Sequence, residues 1–197
     1  MTTLTMTPAI EIDPLTARTK ATWMAGEVGK IAKGYEPDAA EFVKRLNLKS
    51  GNDVLDVACG TGNLSIPAAR TGATVTGIDI APNLVEQAKA WASAEGLDAS
   101  FEEGDAEQMP YVDGRFDTVV TMFGAMFAPR PDRTAAELLR VCRTGGRIVM
   151  ANWTLDGFIG QMFKIAHTCH RCQVWACHLY SFLHLFCSAS FENICSG

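Results

Sequence analysis

The sequence predicts an α/β fold, a doubly wound, mainly parallel sheet with helices on both faces. Two observations carry that expectation. Residues 54–63 read as a buried strand, a glycine turn and a helix start, because the apolar run of Val54, Leu55 and Val57 leads straight into Gly60 and Gly62. Beyond that unit, short β-rich apolar runs alternate with helical patterns as far as Trp153, with short links between them. Such alternation builds βαβ units, whose crossovers are right-handed.

Taken in order, residues 16–46 read as helical, with Trp23, Val28 and Ile31 placed to line one face and Lys20, Glu27 and Lys30 on others. A second helix start falls at Glu36-Pro37-Asp38, since proline suits a first turn, and Phe42, Val43 and Leu46 then recur at helical spacing. Ser50-Gly51-Asn52 turns the chain into the first strand. At Gly60 and Gly62 the missing Cβ lets the backbone turn tightly and approach a ligand. Asn63 is the expected N-cap of the next helix, which carries Leu64, Ile66, Ala68 and Ala69, with Pro67 near its first turn. Residues 73–78 form the second expected strand. Pro82 opens a helix that Gly96 closes. A short strand covers 99–103, and Asp113-Gly114 turns the chain into a stronger one over 116–122. Pro131 then opens a helix containing Leu138, Leu139 and Cys142. Thr144-Gly145-Gly146 leads into the last expected strand, 147–153.

Composition narrows the function classes. The chain has 197 residues, 48% hydrophobic and 20% charged, enough for one domain with a sizeable core. A net charge of −5 and no long basic run disfavour non-specific nucleic-acid binding. The first residues lack the basic-then-apolar layout of a signal peptide, and no apolar run is long enough to span a bilayer. The expectation is therefore a cytoplasmic protein with no membrane span.

The chemistry concentrates at the ends of the expected strands, where open α/β sheets bind ligands. Asp56 supplies a carboxylate beside the glycine turn. Asp79, ending Val75-Thr76-Gly77-Ile78-Asp79, can accept hydrogen bonds from both hydroxyls of a ribose. After the fourth strand, Met122-Phe123-Gly124-Ala125-Met126-Phe127 gives a soft apolar loop suited to excluding water.

The stretch Val54-Leu55-Asp56-Val57-Ala58-Cys59-Gly60-Thr61-Gly62 closely resembles the first motif of the class I S-adenosylmethionine-dependent methyltransferases, hydrophobic-hydrophobic-Asp-x-x-x-Gly-x-Gly. Gly104-Asp105-Ala106 resembles that family's adenine-binding segment, and residues 135–153 its closing helix, Gly-Gly turn and strand. Together with Glu107-Gln108-Met109-Pro110, these motifs look most like the ubiquinone/menaquinone-biosynthesis subgroup. The resemblance covers about 48–153. It implies a Rossmann-like methyltransferase fold with S-adenosylmethionine as cofactor and a small-molecule methyl acceptor. It implies cofactor binding by Asp56, Ala58, Gly60, Thr61, Gly62, Asp79, Ile80, Asp105, Ala106 and Met122. In it the Asp105 carboxylate would accept from the adenine amino group and the Ala106 N–H would donate to a ring nitrogen. Trp23, Phe123, Met126 and Phe127 would wall the acceptor pocket. No catalytic residue is nominated, because no histidine precedes His167 and the acidic candidates are not distinguished. Two rivals stand beside this reading. One is a methyltransferase-like protein that holds S-adenosylmethionine without turnover. The other is an NAD(P)-dependent oxidoreductase, in which Asp56 and Asp105 have no role and Ser65 replaces the usual third glycine.

The expected organisation is a lead-in with lid helices over 1–47, a cofactor-binding α/β domain over 48–166, and a tail over 167–197 rich in Cys and His. Three readings of the tail stay open. It is a metal site built on His167, Cys169, His170 and Cys172, an amphipathic helix with Leu179, Phe182, Leu183 and Phe186 on one side, or a divergent end that replaces the last strands of the family's sheet. No metal is assigned. The third reading leaves the sheet incomplete at its C-terminal edge, and an uncovered edge invites a homodimer.

Overall fold

Residues 13–25, 27–154 and 156–168 are described in a computed structural model. Five strands, β1 (Asp53–Val57), β2 (Thr74–Asp79), β3 (Ala99–Glu103), β4 (Phe116–Met122) and β5 (Cys142–Ala151), pair in the order β3-β2-β1-β4-β5. Every pairing is parallel. The chain builds outward from β1 in one direction, then jumps back to place β4 on its other side. That reversal opens a crevice at the carboxyl ends of β1 and β4.

Alternation along β1 explains why both faces are covered. Val54 packs with Val43, Leu46 and Leu64 on one face, whereas Leu55 and Val57 pack with Leu138 and Val141 on the other. The covering helices are α3 (Glu36–Leu46), α4 (Ser65–Ala69), α5 (Pro82–Glu95) and α6 (Pro131–Val141). Pro37, Pro82 and Pro131 open three of them, where a missing N–H costs nothing. Gly96 closes α5 at φ 62°, as expected. At the opposite end of the sheet, Asp117 ties three strands together. Its carboxylate accepts the Asp53 N–H at 2.9 Å and also bonds Asn52 and Arg143. These bonds, the Asp53 amide first, hold its pKa below the usual carboxylate range.

The N-terminal region is several pieces and not one helical run. Asp13 caps α1 (Pro14–Met24), Ala25 breaks it in an extended conformation, and α2 (Val28–Ala32) and a 3₁₀ turn (Lys33–Tyr35) lead into α3. No residue of α1 is fully buried. Ion pairs hold it over the sheet, between Asp13 and Arg130 and between Lys20 and Glu103.

Three local expectations are corrected. Asn63 does not cap α4; Leu64 occupies that position in helical geometry, and the Asn63 amide instead donates to the Ala32 carbonyl. Tertiary pairing with the N-terminal segment wins over the local cap. Cys142 belongs to β5 and not to α6, because it pairs opposite Phe116 and is buried there. Gly145, at φ 73°, lies within β5 at a register shift, and the strand ends at Ala151, two residues before Trp153. Helix α7 (Phe158–Thr168) follows. The three readings of the tail fall outside the described residues from 169 onward. Among the described residues, no helix is long and apolar enough to cross a membrane.

Candidate functional site

A cavity of about 370 Å³ opens at the crevice. Four loops leave carboxyl strand ends there and supply its floor: Ala58 to Thr61 after β1, Ile80 after β2, Gly104 to Ala106 after β3, and Met122 to Phe127 after β4, with Met126 excepted. Helices α1, α2 and α7 close over it, through Thr16, Thr19 and Trp23, Val28 and Ile31, and Ile159 and Met162.

The glycine turn is held from behind and from the side. Asp79 is buried; one carboxylate oxygen accepts the Gly60 N–H at 2.8 Å and the other accepts the Ala81 N–H at 2.9 Å. Burial raises its pKa, and the two amide bonds pull it the other way. Gly60 has φ 53°, and a Cβ placed on it would meet no atom within 4 Å, so its bare backbone faces open space. Gly62 differs. At φ 90° its missing Cβ faces Ala88 at 3.3 Å and Ile66 at 3.4 Å, so this glycine serves the packing of the turn on α5.

Asp56 does not line the cavity. It is buried beneath the turn and accepts a hydrogen bond from the Ser65 hydroxyl at 2.5 Å. Burial pushes its carboxyl up to about 7, opposed by the Ser65 bond and reinforced by the Asp79 charge. Met126 is also displaced from its expected place. Its side chain is fully buried, and it does not wall the cavity. The 3₁₀ turn Ala125–Phe127 rotates it inward, whereas Phe127 faces the cavity.

The crevice also stores backbone strain. Ala58 and Phe123, just past the ends of the neighbouring strands β1 and β4, sit at φ 57° and φ 56°. Left-handed geometry at non-glycine residues costs on the order of 1–3 kcal/mol each. Gly124 makes the close approach possible, for a Cβ there would lie 2.5 Å from the Ala58 carbonyl oxygen.

The aromatic part of the wall was only partly legible in the sequence. Trp23 meets Phe127 edge to face at 5.0 Å. Phe123 stacks on Trp153 with centroids 3.8 Å apart and planes 7° from parallel, and Tyr35 stands edge-on to both. Sequence reasoning missed Tyr35 and Trp153 as wall residues. Trp153 had a signal, its place at the end of the last expected strand. Tyr35 had none, because only the packing of the N-terminal segment brings it here. Glu107 was also missed; its buried side chain accepts the Arg130 N–H at 2.6 Å and pairs with the Arg130 guanidinium, which in turn holds Asp13 of the α1 cap.

Comparison with known proteins shows what this crevice is similar to. The profile of the family described as "Methyltransferase domain" matches residues 54–146, the span from β1 into β5. Residues 54–146 are thus similar to a methyltransferase domain. A phosphatidylethanolamine N-methyltransferase of Cereibacter sphaeroides is 39% identical over 126 residues, 63% of this chain and 60% of that protein. An uncharacterised protein of Mycobacterium tuberculosis is 42% identical over 157 residues, 79% of this chain and 57% of its own length. The chain thus spans somewhat more than half the length of these relatives. In fold, the chain matches a SAM-dependent methyltransferase of Aquifex aeolicus, with a TM-score of 0.58 at 20% identity over 72% of this chain and 74% of the other. The match to a methyltransferase-domain family implies S-adenosylmethionine as the cofactor. The crevice fits that group: it offers a cleared glycine turn, and a buried carboxylate lines its wall.

Proposed function

We propose that this protein transfers a methyl group from S-adenosylmethionine to a small-molecule acceptor by in-line displacement. The observation that carries the reading is a cavity lined by two chemically distinct sets of groups. One set is the glycine turn, Asp79 and Asp105; the other is Trp23, Tyr35, Phe123, Phe127 and Trp153. When bound, the cofactor supplies a methyl group on a sulfonium, already activated for displacement.

The chain's own residues then bind, orient and exclude water. Asp79 accepts from the ribose hydroxyls with the lone pairs that Gly60 and Ala81 leave open. The Asp105 carboxylate and the Ala106 N–H read the adenine edge. Backbone at Ala58, Gly60, Thr61 and Ile80 and the side chain of Met122 complete the cofactor wall. Asp56 and Gly62 support the turn from outside the cavity. Phe123, Phe127 and Trp23 dry the transfer site, where positioning supplies much of the rate. Among the described residues of the aromatic wall, Tyr35 is the one with a titratable side chain.

Calorimetric titration with S-adenosylhomocysteine and with NADH tests the cofactor. S-adenosylhomocysteine is expected to bind and NADH not to. Asp79→Ala is expected to weaken S-adenosylhomocysteine by about tenfold to a hundredfold, the loss of charge-assisted hydrogen bonds. A folded Asp79→Ala protein with unchanged affinity, or NADH binding in its place, would sink the reading.

A further inference from the structure

The loop after β3 is fastened to α6 at two places. At its far end the Met109 N–H donates to the Glu137 carboxylate at 2.7 Å, and the Arg140 guanidinium donates to the Met109 carbonyl at 2.9 Å. Nearer the cavity the fastening is Glu107. Its side chain is 2% exposed, and a charge so buried needs partners for its oxygens. One oxygen accepts the Arg130 backbone N–H at 2.6 Å, and the other takes the Arg130 guanidinium. A single residue thus supplies both bonds. Arg130 stands between Pro129 and Pro131, at the cap of α6, and flanking prolines restrict the backbone there.

Two residues before Glu107, Asp105 lines the cavity. One of its carboxylate oxygens accepts the Glu107 N–H at 2.8 Å, and the Gln108 N–H donates to its carbonyl at 3.0 Å. The anchored Glu107 backbone therefore sets the direction of the Asp105 carboxylate. Arg130 itself does not line the cavity. Its guanidinium also pairs with Asp13 at the cap of α1. We propose that Arg130 is a positioning residue for base recognition: by holding Glu107 it aims the Asp105 carboxylate at the amino group of adenine, and so makes the site prefer adenine over a base with a carbonyl in that place. The proposal rests on reading the cavity as an S-adenosylmethionine site.

Calorimetry with S-adenosylhomocysteine and S-inosylhomocysteine tests it, since the first carries an amino group at that position and the second a carbonyl. The wild type should favour S-adenosylhomocysteine by about tenfold to a hundredfold, the worth of a charge-assisted hydrogen bond. Arg130→Met should shrink the preference by about fivefold or more, nearly all of it as weaker S-adenosylhomocysteine binding, because a small misplacement of an oriented group is costly. Glu107→Gln breaks the same ion pair at nearly constant volume and should shift the preference in the same direction; it decides the matter should Arg130→Met not fold. Asp13→Asn removes the charge of the lid partner and should move both ligands alike, leaving the preference intact. A folded Arg130→Met or Glu107→Gln protein with the wild-type preference would overturn the proposal. So would equal weakening of both ligands in these variants, the mark of a purely structural role. A wild type that binds both ligands equally, or an Asp13→Asn protein that loses the preference, would overturn it too. Failure of S-adenosylhomocysteine to bind the wild type would instead overturn the cofactor reading beneath it.

Discussion

Gly60 and Gly124 look alike in sequence and are held to glycine for different reasons. Gly60 faces open cavity, so a side chain there meets the ligand and not the protein. Gly60→Val should therefore abolish S-adenosylhomocysteine binding while circular dichroism shows the fold retained, apart from the strain of a β-branched residue at φ 53°. Gly124 faces the Ala58 carbonyl oxygen, which is backbone and cannot swing aside. Gly124→Ala should lower the melting temperature as well as the affinity, because β1 and β4 must separate at their carboxyl ends. Normal binding by Gly60→Val would make that glycine purely structural. Asp56 carries a pH prediction. Folded, it keeps its proton up to about 7; unfolded, it releases it near 4. The native state then binds more protons between those values, so the stability Asp56 contributes is full below about 4 and lost as pH rises through about 7. Asp56→Asn, which stays neutral, should lose less stability than the wild type between pH 5 and 8, by a few degrees in thermal melts. Parallel loss in both proteins would show that Asp56 is ionised throughout.

Helix α1 has little burial to hold it. It has no fully buried residue, yet it contributes Thr16, Thr19 and Trp23 to the cavity wall. Its anchors are the Trp23–Phe127 ring contact and two ion pairs, Lys20 with Glu103 and Asp13 with Arg130. These pairs are partly exposed, so each contributes about 0–1 kcal/mol and weakens with salt. Asp13→Asn keeps the helix cap while removing the charge. Combined with Lys20→Met, it should speed S-adenosylhomocysteine dissociation by about twofold to fivefold, and raised salt should do the same to the wild type. Stopped-flow rates insensitive to both changes would mean that these ion pairs do not hold α1 over the cavity.

At the scale of the molecule, the described cavity wall runs from Thr16 to Met162. Removing residues 169–197 should leave S-adenosylhomocysteine affinity within a factor of a few. A shortened chain that unfolds would make the tail part of the sheet's support. Among the described residues β5 pairs with β4 alone, and such an edge templates strand addition. Sedimentation of the same two preparations should show a dimer in both; a monomer would leave the edge to some other element. The sequence by itself determined the order of strands and helices from β1 to β5, the glycine turn after β1 and the acidic residues at the ends of β2 and β3, because periodicity, turn residues and strand ends are encoded by near neighbours. Only the tertiary structure decided that Asp56 and Met126 lie behind the wall, that Asn63 reaches Ala32 in place of capping α4, and that Tyr35 and Trp153 meet Phe123. Those outcomes depend on the angle at which distant segments close over the crevice, and no local pattern carries that angle.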